Sequence, residues 1–324
     1  MSRPELPRTG AARGAGPSGA TRASLAVVSP FRLDLTVALL QRLPSHPVEV
    51  LDSGRYLRAF ETARGPVAWS VTQPPGAERL RVALHGPYGD PEPWLRRLAR
   101  ALGTEQDLSA FYARVRRFPE VAAMARASRG AKPPRFQSLH ESFASVLLFQ
   151  QVSLPSAIAM LRRLVLGLVD PVAVDGVTLH PFPRAEAIAA CSEAELRRFG
   201  MSGAKASALR SVCQAIASGV LSEDDLSQLD SDALHERLLS LPGVGPWTGS
   251  LLMLRGFGRL DRFPPGDVAA ERLLRRLGSA ASGAALVEAL GDVRGMLYYH
   301  LFLDRLAREG KGPFRPPPQR VPPR

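Results

Sequence analysis

The sequence predicts a mainly α-helical protein preceded by a small α+β domain built on an antiparallel sheet. Three observations carry this. Period-two apolar alternation is confined to the region before about residue 105, and helical spacing dominates the region after it. A chain of 324 residues with 45% hydrophobic content is also long for one domain and can bury two cores.

Residues 1–24 are rich in Gly, Ala, Arg and Pro and aperiodic, so they are expected to be disordered. The α+β domain is expected over 25–105. "RLDLTVALLQRL" is helical, and three short segments with strand character follow. "GPVAWSVTQ" sets Val67, Trp69 and Val71 on one face, and "RLRVALHG" does the same for Leu80, Val82 and Leu84. "PWLRRLARAL" is a helix again. Strands flanked by helices without βαβ alternation imply an antiparallel sheet.

From 106 to 306 a helical domain is expected, because strand signals almost vanish. Ser138 and Glu141 stand three apart ahead of "SVLLFQQ", the spacing of a capping box. "VSLPSAIAMLRRLVLGL", "EAELRRFG", "AKASALRSVCQAIA" and "SDALHERLLSL" read as helices separated by Gly, Pro or Ser. Beyond Asp267, the residues Ala270, Leu273, Leu274 and Leu277 fall at i, i+3, i+4, i+7, and Tyr299, Phe302, Leu303 and Leu306 repeat that spacing. No internal repeat is found. Residues 307–324 form a basic, proline-rich tail too poor in apolar residues to pack, and are expected to be disordered.

Composition excludes several classes of function. No run of 18 apolar residues exists, so no membrane span is expected, and the N-terminus lacks the compact apolar stretch of a signal peptide. The cytoplasm is the expected compartment. Two cysteines, Cys191 and Cys213, cannot hold an iron–sulfur cluster or a Cys-rich zinc site. The six histidines have no metal-binding spacing, and His300, inside "MLYYHLFL", reads as a satisfied core histidine. The formal net charge is +12, of which the two tails supply more than half. The remainder is compatible with a nucleic-acid partner without demanding one.

The stretch "LPGVGPWTGSLLMLRGFGRLDRFPPGDV", Leu241 to Val268, carries the functional reading. Gly243 and Gly245 permit positive φ or a close backbone approach, as a short turn between helices requires. Pro246 suits the first turn of the following helix, where its missing N–H has no intrahelical partner to lose. A helix N-terminus is an anion site, and contacts to a nucleic-acid backbone there position a protein without reading sequence. A plain helical hairpin explains the glycine spacing equally well. Asp267 has the look of a helix N-cap. A carboxylate held there by neighbouring amides also suits a group that must face developing positive charge.

"LPGVGPWT", an apolar helix and Asp267 together resemble the helix-hairpin-helix (HhH-GPD) DNA glycosylases, with the 3-methyladenine DNA glycosylase II (AlkA) type the nearest branch. "LLFQQVS" (Leu147–Ser153) resembles that family's Gly-Gln-Gln-Ile/Val-Ser segment, with Phe149 in place of glycine. "FGMSGAKASAL" (Phe199–Leu209) resembles its Gly-Met/Leu-Ser-x-x-Lys helix start. The resemblance covers about residues 27 to 306 and extends to the small N-terminal α+β domain. It implies a two-lobed helical core acting on double-stranded DNA with damaged bases, as a monomer.

In that reading Asp267 is the catalytic carboxylate, and Trp247, Leu251, Tyr298 and Phe302 form the pocket for a flipped base. Gly243, Val244, Gly245, Gln150 and Gln151 contact DNA. No cofactor is required; a structural Na+ or K+ on the carbonyls of Leu239, Leu241 and Val244 is implied at the hairpin. Family members that also cut the backbone carry a lysine two residues after the second glycine. Trp247 stands there, so the resemblance implies a monofunctional enzyme that releases alkylated purines (3-methyladenine, 7-methylguanine) and leaves an abasic site. Leu251 and Phe302 replace an expected tyrosine and tryptophan, Gly266 a polar residue, and Gln151 an apolar wedge, which implies a narrower or shifted substrate range. The competing readings are a non-catalytic helix-hairpin-helix protein recognising damaged or distorted DNA and a structural helical-hairpin protein. Asp267 argues against a pure binder, which has no need of it.

Overall fold

A computed structural model describes residues 20–277 and 283–311. The N-terminal part comprises β1 (Thr21–Ala26), α1 (Leu33–Gln41), β2 (Val50–Asp52), β3 (Arg55–Phe60), β4 (Val67–Thr72), β5 (Arg79–His85) and α2 (Pro91–Leu102). Its five strands lie in the order β1-β5-β4-β3-β2, every pair antiparallel. Trp69, Val71, Leu80, Val82 and Leu84 share one core with Leu33, Val37 and Leu40 of α1 and Leu98 and Leu102 of α2. The period-two patterns thus identified the buried face.

The expected disordered segment 1–24 requires correction at its end, because β1 begins at Thr21. Its register with β5 runs from Thr21 opposite Leu84 to Ala26 opposite Arg79. "TRASLA" has little intrinsic strand character; the free edge of β5 supplies the ladder that holds it. Residues 1–19 lie outside the described residues, as do 312–324 of the expected tail, whose first residues continue the last helix to Arg308.

The helical part contains α3 (Ser109–Val115), α4 (Pro119–Ala127), α5 (Leu139–Phe149), α6 (Leu154–Leu168), α7 (Ala185–Ala190), α8 (Glu193–Arg198), α9 (Gly203–Ala217), α10 (Glu223–Gln228), α11 (Ser231–Leu239), α12 (Pro246–Arg255), α13 (Val268–Arg276), α14 (Gly283–Ala289) and α15 (Arg294–Arg308). One interruption contradicts the expectation of helix alone. β6 (Val172–Val174) and β7 (Val177–Leu179) form a hairpin around Asp175-Gly176, both at positive φ. Val174 and Leu179 pack on Leu57, Ala59 and Ala68, covering the second face of the sheet. A pair of three-residue strands is too short for periodicity to reveal.

The capping box at Ser138 is only half formed. Its hydroxyl accepts from the Glu141 amide at 3.3 Å, but the Glu141 carboxylate turns away to Arg58 on β3. Arg58 pairs with both Glu49 and Glu141, all three are buried, and the Tyr56 hydroxyl donates to Glu49 at 2.6 Å. This ion cluster ties the sheet to α5; removing one member of such a buried group costs roughly 3–5 kcal/mol. The complete capping box is at Ser192 and Glu195, opening α8. Within the larger core, Leu35 and Leu39 of α1 join Phe143 of α5 and Leu297 of α15, so the first helix belongs to both parts.

Candidate active site around Asp267

Asp267 ends the loop that follows α12. Gly266 before it has φ +69° with open space around its Cα, so glycine there relieves the backbone at a left-handed turn. Asp267 is itself extended and is the N-cap of α13, its Oδ1 accepting from the Ala270 amide at 2.9 Å. Its Oδ2 accepts from the Trp247 indole N–H at 3.0 Å and the Tyr298 hydroxyl at 3.2 Å. Oδ1 thus caps the helix while Oδ2 accepts from the two aromatic donors. A carboxylate offers about four acceptor positions. Three are used by described residues, which leaves one on Oδ1.

Burial, and next the Asp267 charge, raise the Tyr298 hydroxyl well above its ordinary range, so it stays a donor. Phe263, in the loop before Asp267, meets the Tyr298 ring edge-on at 6.0 Å and 80°. Phe302 lies one turn beyond Tyr298 on α15 and is half-buried. Trp247, Tyr298 and Phe302 are all partly buried side chains packed against the helical core. Leu251 is not with them. It is 2% exposed within that core, because α12 is buried on all sides from Thr248 to Arg255. Leu251 therefore contributes core packing and is not an open face of the site, contrary to the pocket role expected of it.

The two hairpin glycines differ. Gly243 has φ +76°, and a Cβ there would lie 2.8 Å from the Ala208 Cβ. It is required by the turn and by its packing on α9. Gly245 has φ −95° and ψ −178°, extended backbone open to any residue, and a Cβ there would meet no described atom within 4 Å. The turn does not need a glycine there; the space in front of it is what the residue preserves. Val244 is buried and its amide donates to the Leu241 carbonyl at 3.2 Å, so it presents no free N–H. The exposed amides of the turn are those leading into α12, where the first N–H groups lack intrahelical partners.

Gln150 is a strut within the protein. Its Nε2 donates to the Gly243 carbonyl and the Thr248 hydroxyl, each at 2.8 Å, locking the end of α5 against the hairpin. Lys205 secures the same corner by donating to the carbonyls of Leu148 at 3.2 Å and Gln150 at 2.7 Å. Gln151, next in sequence, is exposed and has φ +52°, an uncommon backbone for a non-glycine residue. The corner thus projects Gln151 outward while Gln150 and Lys205 hold its base.

Two arginines near the site had no local sequence signal. Arg255 is buried, donates to the Leu39 carbonyl at 2.8 Å and lies over Phe136. Arg42 follows α1 and places its guanidinium 4.3 Å from the centre of the Phe149 ring. Among the described residues no cluster of His, Cys, Asp or Glu has the arrangement of a metal site, and no helix is long and apolar enough to cross a membrane.

Residues 144–290 match the family described as HhH-GPD superfamily base excision DNA repair protein. The chain is 27% identical over 270 residues to a probable bifunctional transcriptional activator/DNA repair enzyme AlkA of Mycobacterium tuberculosis, covering 83% of this chain and 53% of the relative. It is 26% identical over 164 residues to a DNA-3-methyladenine glycosylase of Bacillus subtilis, covering 51% and 54% of the two chains. The chain spans about half the length of these curated relatives. Among solved structures, a 3-methyladenine DNA glycosylase from Archaeoglobus fulgidus superposes with a TM-score of 0.72 at 24% identity, over 88% of this chain and 98% of the other.

Proposed function

We propose that this chain, whose residues 144–290 match the HhH-GPD superfamily of base excision DNA repair proteins, is a monofunctional DNA glycosylase hydrolysing the N-glycosidic bond of alkylated purines in double-stranded DNA. The observation that carries the proposal is the Asp267 carboxylate, held by Ala270, Trp247 and Tyr298 between the hairpin and α15.

The chemistry follows from charge. Alkylation at a purine ring nitrogen leaves the base cationic and a good leaving group. As the bond breaks, positive charge develops on the sugar, and a fixed carboxylate stabilises it without reorganisation. Both in-plane positions of Oδ2 are committed to Trp247 and Tyr298, so Asp267 acts chiefly by charge, with the open position on Oδ1 available to orient the attacking water. Trp247 has no amine, so no Schiff base with the sugar forms and the product is an abasic site.

The start of α12 is the phosphate contact in this reading, with Gly245 allowing close approach. The carbonyl oxygens of Leu239, Leu241 and Val244 would hold a Na+ or K+ ion, with Leu241 also accepting from the Val244 amide, and such an ion would supply positive charge beside the phosphate. Gln151 enters the gap left by the flipped base. The protein acts as a monomer in the cytoplasm.

Incubating the protein with alkylated duplex DNA tests the proposal. Free 3-methyladenine or 7-methylguanine is expected, with abasic strands intact until alkali treatment and no covalent adduct trapped by borohydride. Salt-sensitive DNA binding without base release would instead favour the non-catalytic binder.

A further inference from the structure

Arg42 is an anomaly on several counts. It follows the last residue of α1 and has φ 59°, a left-handed backbone that a long side chain rarely adopts. Its guanidinium lies 4.3 Å over the ring of Phe149, the residue that replaces the family's glycine just before Gln150. Other arginines lodged among these elements have protein acceptors: Arg58 has Glu49 and Glu141, Arg255 the Leu39 carbonyl, Arg135 the Gly256 carbonyl, Arg97 the Gln137 side chain. The Arg42 guanidinium makes no hydrogen bond or ion pair with any described residue, although the side chain is only partly exposed. Burial, followed by the like charge of Arg255, presses its pKa down to about 9, while Tyr298, Tyr299 and Asp267 oppose that shift. The group is therefore still a cation at neutral pH, within electrostatic reach of Asp267, with its donors unspent. Donors without a protein acceptor at a partly exposed position are open to a ligand.

We propose that Arg42 is a specificity-determining residue that donates to an acceptor atom on the flipped base and stabilises the departure of neutral bases at the expense of cationic ones. The inference rests on the glycosylase reading of Asp267 and deepens it. When the C1′–N bond breaks, the bonding pair leaves with the base, and water delivers hydroxide to C1′. A cationic alkylated purine departs as a neutral molecule and gains nothing from a nearby cation, which repels it in the ground state. A neutral lesion such as hypoxanthine departs carrying negative charge, spread onto its ring nitrogens and carbonyl oxygen, until the water's proton reaches it. A guanidinium hydrogen-bonded to that oxygen or nitrogen favours this departure. Arg42 thus opposes the aromatic attraction for cations that Trp247 and Tyr298 provide, and it shifts the substrate range toward neutral bases bearing an acceptor.

The test is single-turnover base release by the full chain and by Arg42→Met, on one duplex carrying 7-methylguanine and one carrying hypoxanthine. Arg42→Met keeps the stem and removes the charge. It should slow hypoxanthine release about tenfold or more and leave 7-methylguanine release unchanged or faster, a change in the ratio that altered packing alone does not produce. Arg42→Gly, suited to φ 59°, provides a second variant with the same expected ratio if the methionine variant does not fold. Equal losses on both duplexes, no change on either, or a wild type that releases 7-methylguanine but no hypoxanthine would each overturn the assignment of Arg42. A wild type that releases neither base would instead remove the glycosylase reading on which it rests.

Discussion

The indole N–H of Trp247 donates to Oδ2 of Asp267 across 3.0 Å, joining the second residue of α12 to the N-cap of α13. Under the proposed glycosylase reading Trp247 stands where a lysine is expected in backbone-cleaving enzymes, and here that position holds a side chain hydrogen-bonded to the carboxylate. The polar edge of the indole is thus spent on Asp267.

Asp267→Asn is expected to abolish base release and also to destabilise the fold. An asparagine oxygen can keep the Ala270 cap, but its amide then meets the Trp247 N–H donor to donor, and an unsatisfied buried donor costs about 1–3 kcal/mol. Release assays on alkylated DNA beside thermal melting check both parts. Release at near wild-type rate would remove Asp267 from catalysis.

Trp247→Phe and Trp247→Leu separate the two functions of the indole. The phenylalanine variant loses the hydrogen bond and keeps a π face, so release of cationic and neutral bases should fall by similar factors. The leucine variant also loses cation–π attraction, worth ~1–2 kcal/mol in a dry site. An additional loss of about tenfold on 7-methylguanine relative to hypoxanthine is expected, since ~1.4 kcal/mol is one decade in rate. Identical substrate ratios in the two variants would reduce the aromatic face to shape alone.

The hairpin glycines should part company. Gly243→Ala forces a side chain into a left-handed position 2.8 Å from the Ala208 Cβ, so lowered stability is expected, read by urea denaturation. Gly245→Ala meets nothing and should fold as wild type. Its affinity should fall similarly for damaged and undamaged duplex, because a phosphate contact specifies no base. Unaltered DNA affinity in folded Gly245→Ala would make the start of α12 a purely structural feature.

His300 should make the protein acid-labile. It is buried, stacked on Phe111 at 5.0 Å, with Nδ1 on the Ser128 hydroxyl at 2.6 Å and Nε2 without a partner among the described residues. The expected core histidine is therefore only half satisfied. Burial lowers its pKa from 6.5 to about 3. Between those values the unfolded chain binds a proton that the folded one refuses, so its contribution is complete above pH 6.5 and declines as pH falls toward 3. The urea midpoint should drop from pH 7 to pH 5, and less steeply in His300→Phe, where Ser128 retains its bond to the Met124 carbonyl. Parallel slopes for the two proteins would show that other groups govern the acid response.

The sequence by itself determined the helical class, the antiparallel sheet with its buried face, the hairpin and the N-cap role of Asp267. Each is written in residues close together in the chain, where spacing dictates which side chains share a face and where a turn or cap forms. Only the tertiary structure decided what those elements do to one another. Glu141 has the spacing of a capping residue, yet a buried Arg58 from the sheet claims its carboxylate. The family resemblance implies a DNA contact for Gln150, yet its amide is spent on the Gly243 carbonyl. Leu251 lies four residues from Trp247, yet α12 enters the core between them. Arg42 stands 107 positions before Phe149, and its place above that ring depends on how α1 packs beneath the helical core. Charged and polar partners are chosen by proximity in space and by the cost of burying them alone, and neither quantity is carried by local spacing.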